Sequence, residues 1–192
     1  AKALTCKILR LDSCKTFTKI YVNKEKRNKV ISNFNKSKCN IVIGAGSSGP
    51  STKWGEDNYA KLINKLNEKN NFNFFMLCGP EEKKLAKEII KKSNANNIFD
   101  LSNLSISEVM PFLVNADMYV GNDTFGSHVC SQSGKPSIVI LLDSPKTYTD
   151  YTPNHIRIIP KGYDINKISH GSRINPNLIS VEQVYKKIYE YI

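Results

Sequence analysis

The chain has 192 residues, 40% of them hydrophobic, and carries 28 Lys and Arg against 17 Asp and Glu, a formal net charge of +11. That length fits one domain, or one domain with an attached piece, with enough apolar residues for a core. No apolar run approaches the ~18 residues of a membrane-spanning helix; the basic residues are scattered over predicted helix faces and cluster only at residues 23–29, which argues for a local anion site and against a nucleic-acid footprint.

Residues 1–39 are basic and irregular, with helices expected over residues 2–11 and 24–34. A regular alternation begins at Asn40. Residues 40–43 form a short β-branched run that ends in glycines, a buried strand and then a loop. Tyr59, Leu62, Ile63 and Leu66 then recur at helical spacing. The run at 74–78 is an apolar strand stopped by Gly79 and Pro80, and the helix after it opens on acids and carries bases later, as the helix dipole prefers.

A short strand is expected at 97–100. Ser105 and Glu108 then make a capping-box pattern for a helix that Pro111 weakens or bends. Strands at 118–121, 137–142 and 156–159 follow, with a helix at 126–134 between the first two and a closing helix over 181–192. Strands alternating with helices mean right-handed crossovers: an α/β, Rossmann-like parallel sheet of about six strands with helices on both faces. Ligands of such sheets bind outside the carboxyl ends of the strands.

Five cysteines show no CxxC pair, three histidines fit no zinc spacing, and reduced thiols are expected. Neither a metal site nor a cofactor is expected.

Three loops at strand ends carry the candidate chemistry. In "GNDTFGSH" (residues 121–128) an acid, a hydroxyl, a glycine and a histidine open a helix. The N–H groups of a helix start bind anions, phosphate being the natural guest. Asp123 or Thr124 reads equally as a plain helix cap. The loop "GAGSSGPSTKWG" (residues 44–55) could cradle phosphate on its amides, but it matches neither the dinucleotide fingerprint nor the P-loop. Trp54 in it reads first as a packing residue. Glu82 suits the hydroxyls of a ribose, or merely complements a helix dipole.

Taken in order, "GAGSSGPSTKWGEDNYAKLI", "LCGPEEKKLAKEI" and "NLSISEVMPFLVNADMYVGNDTFGSHVCSQSGKPSIVIL" resemble the carboxyl-terminal, donor-binding domain of glycosyltransferase family 9, the ADP-heptose:lipopolysaccharide heptosyltransferases. The resemblance covers residues 40–142 well and the tail loosely. It implies the carboxyl-terminal half of a GT-B enzyme, with residues 40–192 as the nucleotide-sugar domain. Residues 1–39 would be the end of an amino-terminal domain and its linker helices.

On that resemblance Ser47 and Ser48 lie near the donor diphosphate, Glu82 holds the ribose, and Leu104, Ser105 and Ile106 line the adenine. Asp123, Thr124, Phe125, Gly126 and His128 form the phosphate loop. Two departures stand out. Thr52 takes the column of a family lysine that meets the phosphate, with Lys53 one place late, and Phe125 stands where glycine is common. Either Lys53 reaches in by loop adjustment, or the phosphates rely on amides and hydroxyls. The implied activity is inverting, metal-independent transfer from an ADP-sugar, heptose-like, to a lipopolysaccharide or related glycan, with the general base supplied from outside the chain. The implied partners are that donor and a glycan or glycolipid acceptor, with no nucleic acid. The expected location is cytoplasmic, with peripheral contact at the inner membrane face. A non-catalytic nucleotide-binding module and a basic polyanion-binding protein are the alternatives.

Overall fold

The computed structural model describes residues 2–13 and 20–192. Six strands, β1 (Cys39–Gly44), β2 (Phe72–Leu77), β3 (Ile98–Asp100), β4 (Met118–Asn122), β5 (Ser137–Ile140) and β6 (His155–Ile158), form one sheet in the order β3-β2-β1-β4-β5-β6. Every neighbouring pair is parallel. Strand expectations hold to within two residues at each end. β5 stops at Ile140, but Leu141 and Leu142 stay buried just beyond it.

The helices are α1 (Lys2–Ile8), α2 (Lys24–Val30), α3 (Glu56–Asn67), α4 (Lys83–Lys92), α5 (Ile106–Asn115), α6 (Phe125–Gln132) and α7 (Val181–Tyr189). Because side chains alternate across a strand, the sheet sorts its apolar residues to two faces. Ile41 and Ile43 pack in a layer with Trp54, Leu62, Ile63, Leu66, Ile89, Val184 and Ile188 from the α3, α4 and α7 side. Val42, Phe75 and Tyr119 pack in a second layer with Val109, Phe112, Leu113, Val129 and Cys130 of α5 and α6. Ile20, Val22, Val30 and Phe34 join that second layer, and the rings of Phe34 and Phe75 lie 4.6 Å apart, tilted by 36°. Arg27 Nη2 donates to Asn115 Oδ1 at 3.0 Å, fastening α2 to the end of α5.

Local chemistry explains the helix ends. Glu108 accepts from the Ser105 amide at 2.8 Å and its hydroxyl at 2.6 Å, closing the expected cap. α5 runs through Pro111, which is buried in the second layer's helix; burial of its neighbours outweighs the one missing hydrogen bond. The acidic stretch expected to open a helix is a 3₁₀ turn over Pro80–Glu82, and α4 starts at Lys83. Cys39, Cys78 and Cys130 are free thiols. Cys6 is disulfide-bonded, against expectation, and Cys14 lies outside the described residues. No helix among the described residues is long and apolar enough to cross a membrane.

Candidate functional site

The strand order reverses between β1 and β4, so their crossovers leave on opposite faces and a crevice opens at their carboxyl ends. A cavity of about 430 Å³ fills that crevice. Of the sequence-predicted residues, Ser47, Ser48, Glu82, Leu104, Ser105, Ile106, Asp123, Thr124, Phe125 and Gly126 line it. Thr52, Lys53 and His128 do not line it; they stand behind the lining. Gly46, Leu77, Cys78, Gly79, Pro80 and Val109 also line it; Gly46, Gly79 and Pro80 belong to strand-end loops conspicuous in the sequence, whereas Leu77, Cys78 and Val109 read there as ordinary strand and helix core.

One wall follows β1 and β2, and its centre is Glu82. Lys53 Nζ lies 2.6 Å from Glu82 Oε1. The Ser47 amide donates to the same oxygen at 3.0 Å, and the Gly79 amide to Oε2 at 3.3 Å. Burial disfavours the charged carboxylate, but Lys53 and the two amides together hold its pKa below the ordinary value. Lys53 therefore does fold inward, onto the carboxylate. Glycine is required at position 46 for space: a Cβ there would stand 2.2 Å from Glu82 Oε2 and displace it. Behind Ser47, its hydroxyl pairs with the Thr52 hydroxyl, which bonds the Gly49 carbonyl at 2.7 Å. Thr52 thus braces the loop.

The other wall follows β4. Thr124, in extended backbone, caps α6, while Asp123 makes no capping bond. The first-turn amides of Phe125 and Gly126 have no carbonyl four residues back to bind, and the helix dipole makes this end partly positive. Thr124 Oγ1 lies 3.0 Å from the Tyr119 hydroxyl, which donates to the Asn122 carbonyl at 2.8 Å. Phe125 is half-exposed at the rim. Gly126, placed by the resemblance in the phosphate loop, lines the cavity and also packs closely on the protein: a Cβ would lie 2.5 Å from Leu77 Cδ2 and 2.8 Å from Tyr119 Cε2, so glycine lets α6 sit down on the sheet.

Asn122, absent from the predicted set, joins the two walls. It is fully buried. Its Nδ2 donates to the Ala45 carbonyl at 2.8 Å and the Gly46 carbonyl at 3.3 Å. Its Oδ1 accepts from the Trp54 amide at 3.1 Å and the Tyr59 hydroxyl at 2.9 Å. Trp54 is itself buried, with Nε1 donating to the Ile179 carbonyl at 2.8 Å, which makes it the packing residue expected. The available signal was an amide side chain ending an otherwise apolar strand, next to the more conspicuous acid. Asp143, also unforeseen, accepts from Ser51 and from the Ser172 amide at 2.7 Å; these bonds, with amides of Gly171 and Arg173, outweigh burial and hold its carboxyl below the usual range.

Fold and cavity define a doubly wound α/β domain with a polar-and-apolar crevice at the switch point. The family model for glycosyltransferase family 9 (heptosyltransferase) matches residues 2–173, and the chain belongs to that family. It is 26% identical over 152 residues to lipopolysaccharide heptosyltransferase 1 of Campylobacter coli, a match covering 77% of this chain and 44% of that protein. Its fold is similar to that of a family 9 glycosyl transferase from Veillonella parvula, with a TM-score of 0.80 at 17% identity over 96% of this chain and 57% of the other. It is also similar to the E. coli heptosyltransferase WaaC solved with ADP, with a TM-score of 0.72 at 18% identity over 99% and 55% of the two chains. The chain spans about half the length of these relatives.

Proposed function

We propose that this chain is the donor-binding half of an inverting, metal-independent glycosyltransferase, taking an ADP-sugar of the heptose kind for transfer to a lipopolysaccharide or related glycan. The observation that carries this reading is the cavity itself. It gathers at one switch point an acid suited to ribose, an apolar turn suited to a base and a helix start suited to phosphate. Family membership and the ADP with which the similar WaaC was solved support it.

In this reading Leu104, Ser105 and Ile106 line the adenine and Glu82 takes the ribose hydroxyls. Ser47, Ser48, Lys53 and the α6 turn face the diphosphate, with Thr52 bracing the loop. The acceptor hydroxyl attacks the anomeric carbon, its bond forming as the carbon–oxygen bond to the diphosphate breaks. The hydroxyl proton goes to a base outside this chain. The charge developing on the diphosphate is met by the first-turn amides of α6, Thr124 and Lys53, electrostatic stabilisation of the oxyanion-hole kind. Residues 40–192 form the donor domain, and residues 1–39 link it to an acceptor-binding part. The enzyme works in the cytoplasm, at the inner membrane face where a glycolipid acceptor lies.

Calorimetry with ADP, adenosine and UDP tests the binding half of this reading, and ADP should bind most tightly. No binding of ADP, or equal binding of any polyanion that vanishes with salt, would overturn it. The shifted lysine, held by Glu82, favours a second reading: a module that binds the nucleotide without transfer. Sugar transfer from ADP-heptose once an acceptor-binding domain is supplied separates the two.

A further inference from the structure

Behind the α6 turn, side chains connect in series. Gln132 Nε2 lies 3.3 Å from the Tyr151 hydroxyl, and that hydroxyl lies 2.6 Å from His128 Nδ1. His128 Nε2 lies 3.3 Å from Asp123 Oδ1, a buried oxygen with no well-aligned hydrogen-bond partner among the described residues. The direction of the chain follows from its ends. A carboxamide nitrogen only donates, so the Tyr151 oxygen accepts from Gln132 and keeps its own proton to give. The atom within reach of that proton is His128 Nδ1, 2.6 Å away. A neutral imidazole that accepts at Nδ1 carries its one proton on Nε2, the atom facing Asp123.

The surroundings hold this arrangement in place. Tyr151 stacks on His128 with centroids 5.9 Å apart and planes at 18°. His155 meets both rings edge-on, at 5.3 and 5.2 Å. Its Nε2 lies 3.2 Å from the Ser127 carbonyl, to which it donates. Burial pushes the His155 pKa down to about 4, so at neutral pH it presents no positive charge to His128.

We propose that Tyr151 is a positioning residue that locks neutral His128 in the Nε2–H tautomer, aiming its single proton at Asp123 beside the α6 turn. With the other tautomer, Asp123 Oδ1 would face a nitrogen lone pair, and the carboxylate would turn its charge to the cavity it lines. There it would repel the diphosphate of the donor. The effect on affinity rests on the nucleotide reading above; the tautomer does not.

Long-range proton–nitrogen correlation spectra of the ligand-free chain at pH 8 read the tautomer directly, with His128 assigned by its loss in His128→Gln. The wild type should show a protonated Nε2 and a bare Nδ1. Tyr151→Phe keeps the ring and removes the donor; it should show a mixture of tautomers and weaken ADP binding about threefold to tenfold, the span of one neutral hydrogen bond. Protonated Nδ1 in the wild type, an unchanged tautomer in Tyr151→Phe, or, given a wild type that binds ADP, an unchanged affinity in that variant would each overturn the proposal. A shifted tautomer in a protein whose wild type binds no ADP would uphold the lock and defeat the nucleotide reading.

Discussion

The wall after β1 and β2 carries formal charges that are already paired with each other, whereas the wall after β4 offers amides and hydroxyls. On the first, Glu82 is held by Lys53 and two backbone amides. On the second, the donors are the amides of a helix start and the hydroxyl of Thr124, with Asp123 turned toward His128. A paired charge must be released before it can meet a ligand; an unpaired helix start need not be. On the proposed reading, anion binding falls first to the β4 wall, and recognition by exchange of partners to the Glu82 wall.

The largest expected effect comes from separating the walls. Asn122→Ala removes four hydrogen bonds from a buried position and leaves the Trp54 amide and the Ala45 carbonyl without their partner. Urea denaturation should show a loss of about 3 kcal/mol or more, since each unsatisfied buried group costs ~1–3 kcal/mol. A loss below about 1 kcal/mol would mean that the two loops fold independently.

Acid should also distinguish the walls. The His155 pKa falls from an ordinary 6.5 to about 4 in the folded chain, chiefly through burial. Between those values the unfolded chain binds the extra proton, so stability is full above pH 6.5 and declines as pH falls toward 4. The decline amounts to about 2–3 kcal/mol on linkage grounds. Glu82 and Asp143 work in the same direction but lower: their depressed carboxyls keep their stabilisation until pH falls through the folded values. The β4 side should thus weaken first. Denaturation curves from pH 8 to 4 check this, and His155→Gln should flatten the slope between pH 6.5 and 4. An unchanged slope would place the acid sensitivity elsewhere.

Smaller effects sharpen the assignment of each wall. Gly126→Val pushes a side chain into Leu77 and Tyr119 and should cost about 1–3 kcal/mol of stability by overpacking. If stability held and only ADP affinity fell, the glycine would serve the guest and not the sheet. Glu82→Gln should weaken ADP binding by about 1–2 kcal/mol, the order of a charged hydrogen bond. Unchanged affinity by calorimetry would leave Glu82 as a loop brace.

Sheet and helices were legible in the chain because their signals are local. The continuous β-branched run at residues 41–43 marks a strand buried on both faces, helical spacing at residues 59–66 says which face of a helix is buried, and glycines at strand ends mark the loops. The cavity was legible through Glu82 and the α6 turn only with the family resemblance, because an acid or hydroxyl at such a place serves equally to cap or complement a helix. Asn122, Tyr151 and Asp143 were not, because what they do depends on partners far along the chain: Asn122 reaches Trp54, Tyr151 reaches His128, and Asp143 reaches Ser51 and Ser172. Gly126 lines the cavity as the phosphate loop implies, and its missing side chain also lets α6 approach Leu77 and Tyr119. Which surface a glycine lets approach is set by packing, and no residue spacing encodes it.

Lys53 gives the finest test of the comparison, because it can be satisfied in two ways. Lys53 Nζ lies 2.6 Å from Glu82 Oε1, with both side chains partly exposed. On the proposed reading an entering diphosphate draws Lys53, a cation on a long flexible stem, away from Glu82. Its departure, on that reading, frees Glu82 to accept ribose hydroxyls, so that one exchange recognises both halves of the nucleotide. Lys53→Ala breaks the exchange at one end only. ADP loses an attractive charge and meets a bare Glu82 nearby, and its affinity should fall by about 1 kcal/mol, modest because solvent screens the site. Adenosine carries no phosphate and gains an unencumbered carboxylate, so its affinity should hold or rise slightly. Calorimetry of both ligands at low and moderate salt reads the difference, and the variant should also show a weaker salt dependence for ADP than the wild type. Equal losses for ADP and adenosine would mean that Lys53 acts by holding Glu82 and its loop in shape, and the charged wall would then be scaffold rather than a partner in recognition.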